Sequence, residues 1–312
     1  MDFSTPSCVL GSDGLCAPHT GRGHAPDAFV EIGSLTKALT GTLLMRLAAQ
    51  GVVSVDDPVE RWLATPAGTG ITLQQLQEHT SGLPRLPPLL PGAKRSDPYR
   101  PFTDQALRDL LAAGLDTLAV APPGEKEEYS NLGYAVLGAA LSAAAGTSYM
   151  DLLAEHVLHP LGVRNEVTHQ PPQDRSLVAT GVFGRRLRPW TMTGAILPAG
   201  GLWATPRAAA RILTSLVVER VLGEPAPAWR RAGELVWHNG ATRNSSVFAG
   251  AFPDGRWILV HRLGGTSDTT DRMAVDHLRG KRCSGGTGLA GRGGGLRAGR
   301  RSGRDAERRS EG

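Results

Sequence analysis

Lysine is scarce in this chain, with four Lys against thirty Arg. A lysine at a motif position is therefore less a matter of chance than an arginine would be. Cysteine is scarcer still. Cys8, Cys16 and Cys283 are an odd number at no metal-ligand spacing, which argues against a disulfide framework and a zinc site. No apolar run reaches the roughly 18 residues of a transmembrane helix. Residues 1–10 have neither a positive n-region nor an apolar h-region, so no secretory signal is visible. The default expectation is a cytoplasmic protein, or an exported one if translation starts upstream. A Gly-x-Ser-x-Gly elbow is also missing, which argues against an α/β-hydrolase.

Net charge is nearly absent from the body of the chain. The 34 basic and 29 acidic residues give +5, but residues 281–312 hold nine basic and three acidic groups, leaving 25 against 26 elsewhere, a balance of −1. Nothing there suggests the one-faced basic patch that neutralises phosphates, so no specific nucleic-acid partner is expected. The Arg-rich tail allows only nonspecific contact with RNA or an anionic membrane. The sequence is silent on oligomeric state.

What is present is enough chain, 312 residues, for about two domains. Residues 34–50 repeat Leu and Ala at helical spacing and stop at Gly51, and their early turns are apolar on most sides, which predicts a central buried helix. Thr72 and Gln75 form a capping box for a short helix. The proline-rich stretch 85–101 predicts a surface loop. Helices are expected over 103–114, 129–145, 148–158 and 205–220, with a short one over 270–279. Residues 234–238, 246–252 and 256–263 are β-rich, with a Pro253-Asp254-Gly255 hairpin turn. A weak hairpin pattern lies at 8–17. The expected fold is α+β, an antiparallel sheet flanked by helices with an inserted, mostly helical region. The parts expected are a weakly ordered segment over 1–27, a sheet-containing part over 28–53 and 200–280, a helical part over 54–199, and a disordered Gly/Arg-rich tail over 281–312.

Three motifs carry chemistry. In Ser34-Leu35-Thr36-Lys37, positions i and i+3 share a helix face, so an amine can reach the serine oxygen and take its proton. A buried apolar helix disfavours the charged lysine, and a first-turn serine meets free backbone N–H groups that suit an oxyanion. In Tyr129-Ser130-Asn131 the phenol can relay a proton to a leaving group, and the amide can hold both a lysine and a substrate carbonyl. With four Tyr and four Asn in the chain, this motif is the more informative one. His238-Asn239-Gly240 ends a strand, where Gly240 admits a substrate backbone and the Ala241 amide can donate a second oxyanion bond. A bland reading competes, since His19-Thr20-Gly21 repeats the pattern by composition alone. His156 and His159 lack a carboxylate partner set and read as surface or capping residues, and the glycines at 286–291 lack a preceding strand.

The order and spacing of these motifs, with Leu76-Gln77-Glu78-His79-Thr80-Ser81-Gly82-Leu83-Pro84 and Ala199-Gly200-Gly201-Leu202-Trp203-Ala204-Thr205, resemble the serine β-lactamase and penicillin-binding protein superfamily. The chain looks most like its class C β-lactamase-like branch, which includes D-alanyl-D-alanine carboxypeptidases, D-aminopeptidases and family VIII carboxylesterases. The resemblance covers roughly residues 28–265. It implies that Ser34 is the acylated nucleophile, Lys37 its base partner and Tyr129 the proton relay. Asn131 would position Lys37 and substrate, and His238 would stand where other members carry a lysine on the strand lining the site. A histidine there fits esterase and peptidase-like members better than potent β-lactamases. The implied activity is that of a serine hydrolase acting through an acyl-enzyme on an ester, a D-amino-acid peptide or a β-lactam, with a small molecule or peptide as partner and no metal or cofactor. The alternative is a non-catalytic or acylation-only binding protein on the same fold.

Two departures from the pattern set further expectations. Only 33 residues precede Ser34 and they lack an apolar strand pair, so the N-terminal strands are expected to be incomplete. Thr242 is followed by Arg243 and Asn244 rather than by x-Gly, and Asn244 is expected to take the left-handed backbone in place of glycine.

Overall fold

The computed structural model describes residues 5–15, 18–88, 90–94 and 96–279. The Gly/Arg-rich tail and residues 16–17 of the 8–17 hairpin pattern lie outside them. In chain order the strands are β1 (Ser7–Gly11), β2 (His19–Thr20), β3 (Val30–Glu31), β4 (Val167–Thr168), β5 (Trp203–Ala204), β6 (Arg230–Ala232), β7 (Leu235–Ala241), β8 (Ser245–Ala251) and β9 (Trp257–Leu263). Six of them form one antiparallel sheet, ordered β2-β1-β9-β8-β7-β6, and β5 lies between β3 and β4 in a second. The helices are α1 (Thr36–Ala49), α2 (Leu73–Gln77), α3 (Asp104–Ala113), α4 (Asn131–Ala145), α5 (Tyr149–Leu153), α6 (Leu197–Gly200), α7 (Pro206–Leu213) and α8 (Ser267–Leu278). The architecture is the expected α+β arrangement.

Period-two alternation sorts the side chains of the main sheet between two apolar clusters. Phe248, Ile258 and Val260 join Ala274 and Leu278 of α8, while Val247, Ala249, Ala251 and Leu259 face the larger core. That larger core is built around α1, in which Leu39, Leu43 and Leu44 are fully buried. Burying each stabilises the fold by about 1.5–3 kcal/mol. α1 packs on α4, α5 and α6, so the helix following Ser34 is enclosed by other helices, as its apolar early turns suggest.

Helix boundaries follow the caps. Thr72 accepts from the Gln75 N–H while the Gln75 side chain accepts from the Thr72 N–H, closing the expected capping box. Thr103, Ser130, Ser148 and Thr205 each accept an N–H three residues on. The helices beginning with α5 and α7 continue as π turns, Ala154–Leu158 and Thr214–Val218. The last helix starts three residues earlier than expected, at Ser267, behind the Thr266 cap.

The expectation of weak order over 1–27 is corrected at residues 7–11. Strand β1 pairs with β9 from Ser7↔Arg262 to Gly11↔Ile258, and Ser7, Cys8 and Val9 are buried. A short apolar run suffices there because the long neighbour β9 satisfies its backbone groups. Its return strand is β2 at His19–Thr20, two residues past the span expected from sequence. β4 lies within the part over 54–199 expected to be helical; like β3 and β5, at two residues it is too short for periodicity to register. Among the described residues no single helix is long and apolar enough to cross a membrane.

Candidate active site

Two glycines bring the Ser34 turn and β7 into contact. Ser34 sits in a 3-10 turn, Gly33–Leu35, that leads into α1. A Cβ on Gly240 would stand 2.1 Å from the Ile32 carbonyl oxygen and 3.0 Å from the Ser34 nitrogen. Gly33 has φ +49°, and a Cβ there would lie 2.9 Å from the Ala241 nitrogen. Only glycine at both positions allows this approach, which gathers the Ser34 and Ala241 amides at one place. Gly33 had no part in the motif reading. The expectation for Asn244 is corrected: its φ is not positive, and the turn closes instead through the Thr242 N–H donating to the Ser245 carbonyl at 2.9 Å.

Tyr129 Oη donates to Ser34 Oγ at 2.5 Å. Lys37 is fully buried, and its Nζ donates to Asn131 Oδ1 at 2.7 Å and to the Ala199 carbonyl at 2.5 Å. Burial, aided by the nearby Arg85 charge, holds the lysine pKa well below its ordinary value. A neutral amine has two N–H bonds, and these two acceptors use both, leaving its lone pair free to take a proton. No Ser34–Lys37 hydrogen bond is formed among the described residues; the Ser34 oxygen accepts from Tyr129, which leaves the serine O–H free to donate. Lys37 Nζ lies 4.7 Å from the centre of the Tyr129 ring.

Burial raises the Tyr129 pKa, against the opposing pull of its Ser34 hydrogen bond and of Arg85 and Arg230, so the phenol keeps its proton at neutral pH. Asn131 is fixed from its other end, where Nδ2 donates to Tyr99 Oη at 2.9 Å. The carbonyl of Ala199 reaches Lys37 because Gly138 of α4 lets α6 approach: a Cβ there would lie 2.1 Å from Pro198 Cγ. Sequence reasoning singled out the Ala199-Gly200-Gly201 stretch but not this backbone acceptor.

A cavity of about 540 Å³ opens over Ser34. Tyr129, Asn131, Gly240 and Ala241 line it, together with Arg85, Arg230, Trp190, Trp237 and Asn239, none of which was expected as a wall. His238 stands on β7, the strand that lines the cavity, but its side chain is not among the lining residues. Along β7, Val236, His238 and Gly240 are buried while Leu235, Trp237 and Asn239 are half-buried, so the imidazole shares the face that Gly240 presents to the Ser34 turn but is itself buried behind the wall, near Lys37 and Arg230. His238 Nδ1 lies 2.6 Å from the Asn239 carbonyl oxygen, and burial lowers its pKa to about 3. Among the described residues no group of His, Cys, Asp and Glu could hold a metal ion.

A family model described as Beta-lactamase matches residues 14–299. The chain is 36% identical over 188 residues to the D-alanyl-D-alanine-carboxypeptidase/endopeptidase AmpH of Escherichia coli strain K12, covering 58% of this chain and 46% of that protein. It is 34% identical over 167 residues to Esterase EstB of Burkholderia gladioli, covering 49% and 42%. The chain thus spans about half the length of these curated relatives. The crystal structure of a beta-lactamase/D-alanine carboxypeptidase from Yersinia pestis superposes with a TM-score of 0.68 at 22% identity, over 87% of this chain and 91% of that one. At that identity the likeness speaks for the fold.

Proposed function

Because the chain belongs to the Beta-lactamase family, within the serine β-lactamase and penicillin-binding protein superfamily, we propose that it is a serine hydrolase working through an acyl-enzyme on Ser34. The observation that carries this reading is the pair of contacts at the site: Tyr129 Oη on Ser34 Oγ at 2.5 Å, and a buried Lys37 held by Asn131. Lys37 is the base. The Ser34 proton passes to its lone pair as Ser34 Oγ attacks the substrate carbonyl carbon, and the Ser34 and Ala241 amides hold the resulting oxyanion. Tyr129 gives its proton to the leaving group as the bond to carbon breaks, and is reprotonated from Lys37. Water, giving a proton to Lys37, then attacks the acyl carbon, the bond from that carbon to Ser34 Oγ breaks, and Oγ takes the proton back as the acid leaves.

The substrate is an ester, a D-amino-acid peptide or a β-lactam, in that order of preference. AmpH is named as a carboxypeptidase and EstB as an esterase, and both names fit a site of this kind. The test mixes the full chain with 4-nitrophenyl acetate, a D-Ala-D-Ala peptide and nitrocefin. Turnover of one donor, with an acyl adduct on Ser34 by intact mass and loss of both in Ser34→Ala, supports the reading. Equal signals from both proteins overturn the assignment of Ser34. An adduct without turnover marks an acylation-only binding protein.

A further inference from the structure

His79 is buried beneath the site and takes no part in the steps above. It follows α2, and its backbone has φ +63°, a left-handed conformation that glycine adopts freely and other residues avoid. Its carbonyl and its imidazole accept from the N–H groups of the two residues on either side of Tyr129. The His79 carbonyl accepts from the Glu128 N–H at 2.7 Å, and the imidazole Nδ1 accepts from the Ser130 N–H at 3.1 Å. The ring lies against the tyrosine itself, 4.6 Å between centres with a 39° tilt, and its centre is 5.1 Å from that of Tyr134. A glycine would satisfy the backbone geometry and keep the carbonyl bond. The imidazole adds the Ser130 bond and the ring contact, both on the segment that carries Tyr129.

We propose that His79 is a positioning residue for Tyr129, clamping it by the Ser130 N–H and by ring contact so that the phenol meets Ser34 and the departing group. The clamp requires Nδ1 to keep its lone pair, with the ring proton on Nε2. Burial, with the basic groups of Lys37, His238 and Arg230 nearby opposing another positive charge, lowers the imidazole pKa to about 3, so Nδ1 stays an acceptor across the neutral range. The Ser130 N–H is buried beside the cap of α4, and losing its acceptor would leave a donor without a partner. The inference rests on the proposed role of Tyr129 as proton donor to the leaving group.

The experiment compares acylation rates for 4-nitrophenyl acetate, whose leaving group departs without a proton, and ethyl acetate, whose alkoxide needs one. Tyr129→Phe is the reference and is expected to slow the ethyl ester far more than the nitrophenyl ester. His79→Gly relieves the backbone and removes the imidazole. It should slow the ethyl ester about tenfold or more while changing the nitrophenyl ester less than about threefold, with KM little altered. His79→Asn places an amide oxygen near the Nδ1 position and tolerates the left-handed backbone. It should recover part of the loss, and it carries the test if the glycine variant does not fold. Equal slowing of both esters, or no slowing, overturns the clamp when Tyr129→Phe shows its leaving-group dependence. Absence of that dependence in Tyr129→Phe overturns the role of Tyr129 itself, and the clamp with it.

Discussion

Gly240 passes Ile32 so closely that a methyl group on the glycine would stand 2.1 Å from the Ile32 carbonyl oxygen. Both partners are backbone, so no side chain can swing aside. Gly240→Ala should force β7 away from the Ser34 turn and separate the Ser34 and Ala241 amides. The expected cost is about 1–3 kcal/mol in stability and a loss of acylation rate larger than any change in KM. Urea denaturation and single-turnover kinetics measure the two effects separately, and a variant with wild-type acylation would refute the shared oxyanion site.

Lys37, the proposed base, also carries a stability that depends on pH. Its folded-state pKa lies below the unfolded value, so between the two the unfolded chain binds more protons and stability rises with pH. Lys37→Met removes this linkage. The variant should lose turnover, and the difference in stability between wild type and variant should move in the wild type's favour as pH rises toward 10. Denaturation midpoints at pH 6, 8 and 9.5 test the sign, and a difference constant with pH would mean that Lys37 is ionised in the folded protein.

Arg85 adds to the depression of the Lys37 pKa. It also lines the cavity and lies 5.1 Å from the centre of the Tyr129 ring. Arg85→Ala should let the Lys37 pKa rise, moving the acidic limb of the kcat/KM profile to higher pH and lowering activity on that side. Because Arg85 is exposed, salt should move the wild-type limb in the same direction and the variant's limb less. A limb that stays in place in Arg85→Ala would separate it from Lys37 ionisation.

The parts of this site visible in the sequence are those whose chemistry is rare or whose spacing is local. Lys37 stood out because lysine is rare, and Tyr129 with Asn131 because tyrosine and asparagine occur only four times each. The core helix α1 and strands β7 to β9 were legible because each repeats its pattern for at least seven residues. Contacts made by backbone left no such trace. The Ala199 carbonyl that receives Lys37, and the closeness of Gly33 to Ala241, depend on how distant segments pack, and one glycine among forty carries no mark of its neighbour. β1 was hidden for a related reason, since its stability lies in β9, some 250 residues away.

Strand alternation also decides the last prediction, which separates two adjacent residues. Asn239 is on the cavity wall, its Nδ2 donating to Asp271 Oδ2 at 2.7 Å, whereas the His238 side chain is buried on the other face of β7, the one Gly240 turns to Ser34, and does not reach the wall. Asn239→Ala frees the Asp271 carboxylate and enlarges the wall that meets substrate, so KM should rise while stability changes little. His238→Ala opens a hole beside Trp229, whose ring centre is 6.4 Å from the imidazole centre, and should cost about 2–5 kcal/mol in stability. At temperatures where that variant remains folded its KM should be close to wild type. A larger KM effect from His238→Ala than from Asn239→Ala would place the imidazole in contact with substrate and return the strand to the arrangement expected from the sequence motif.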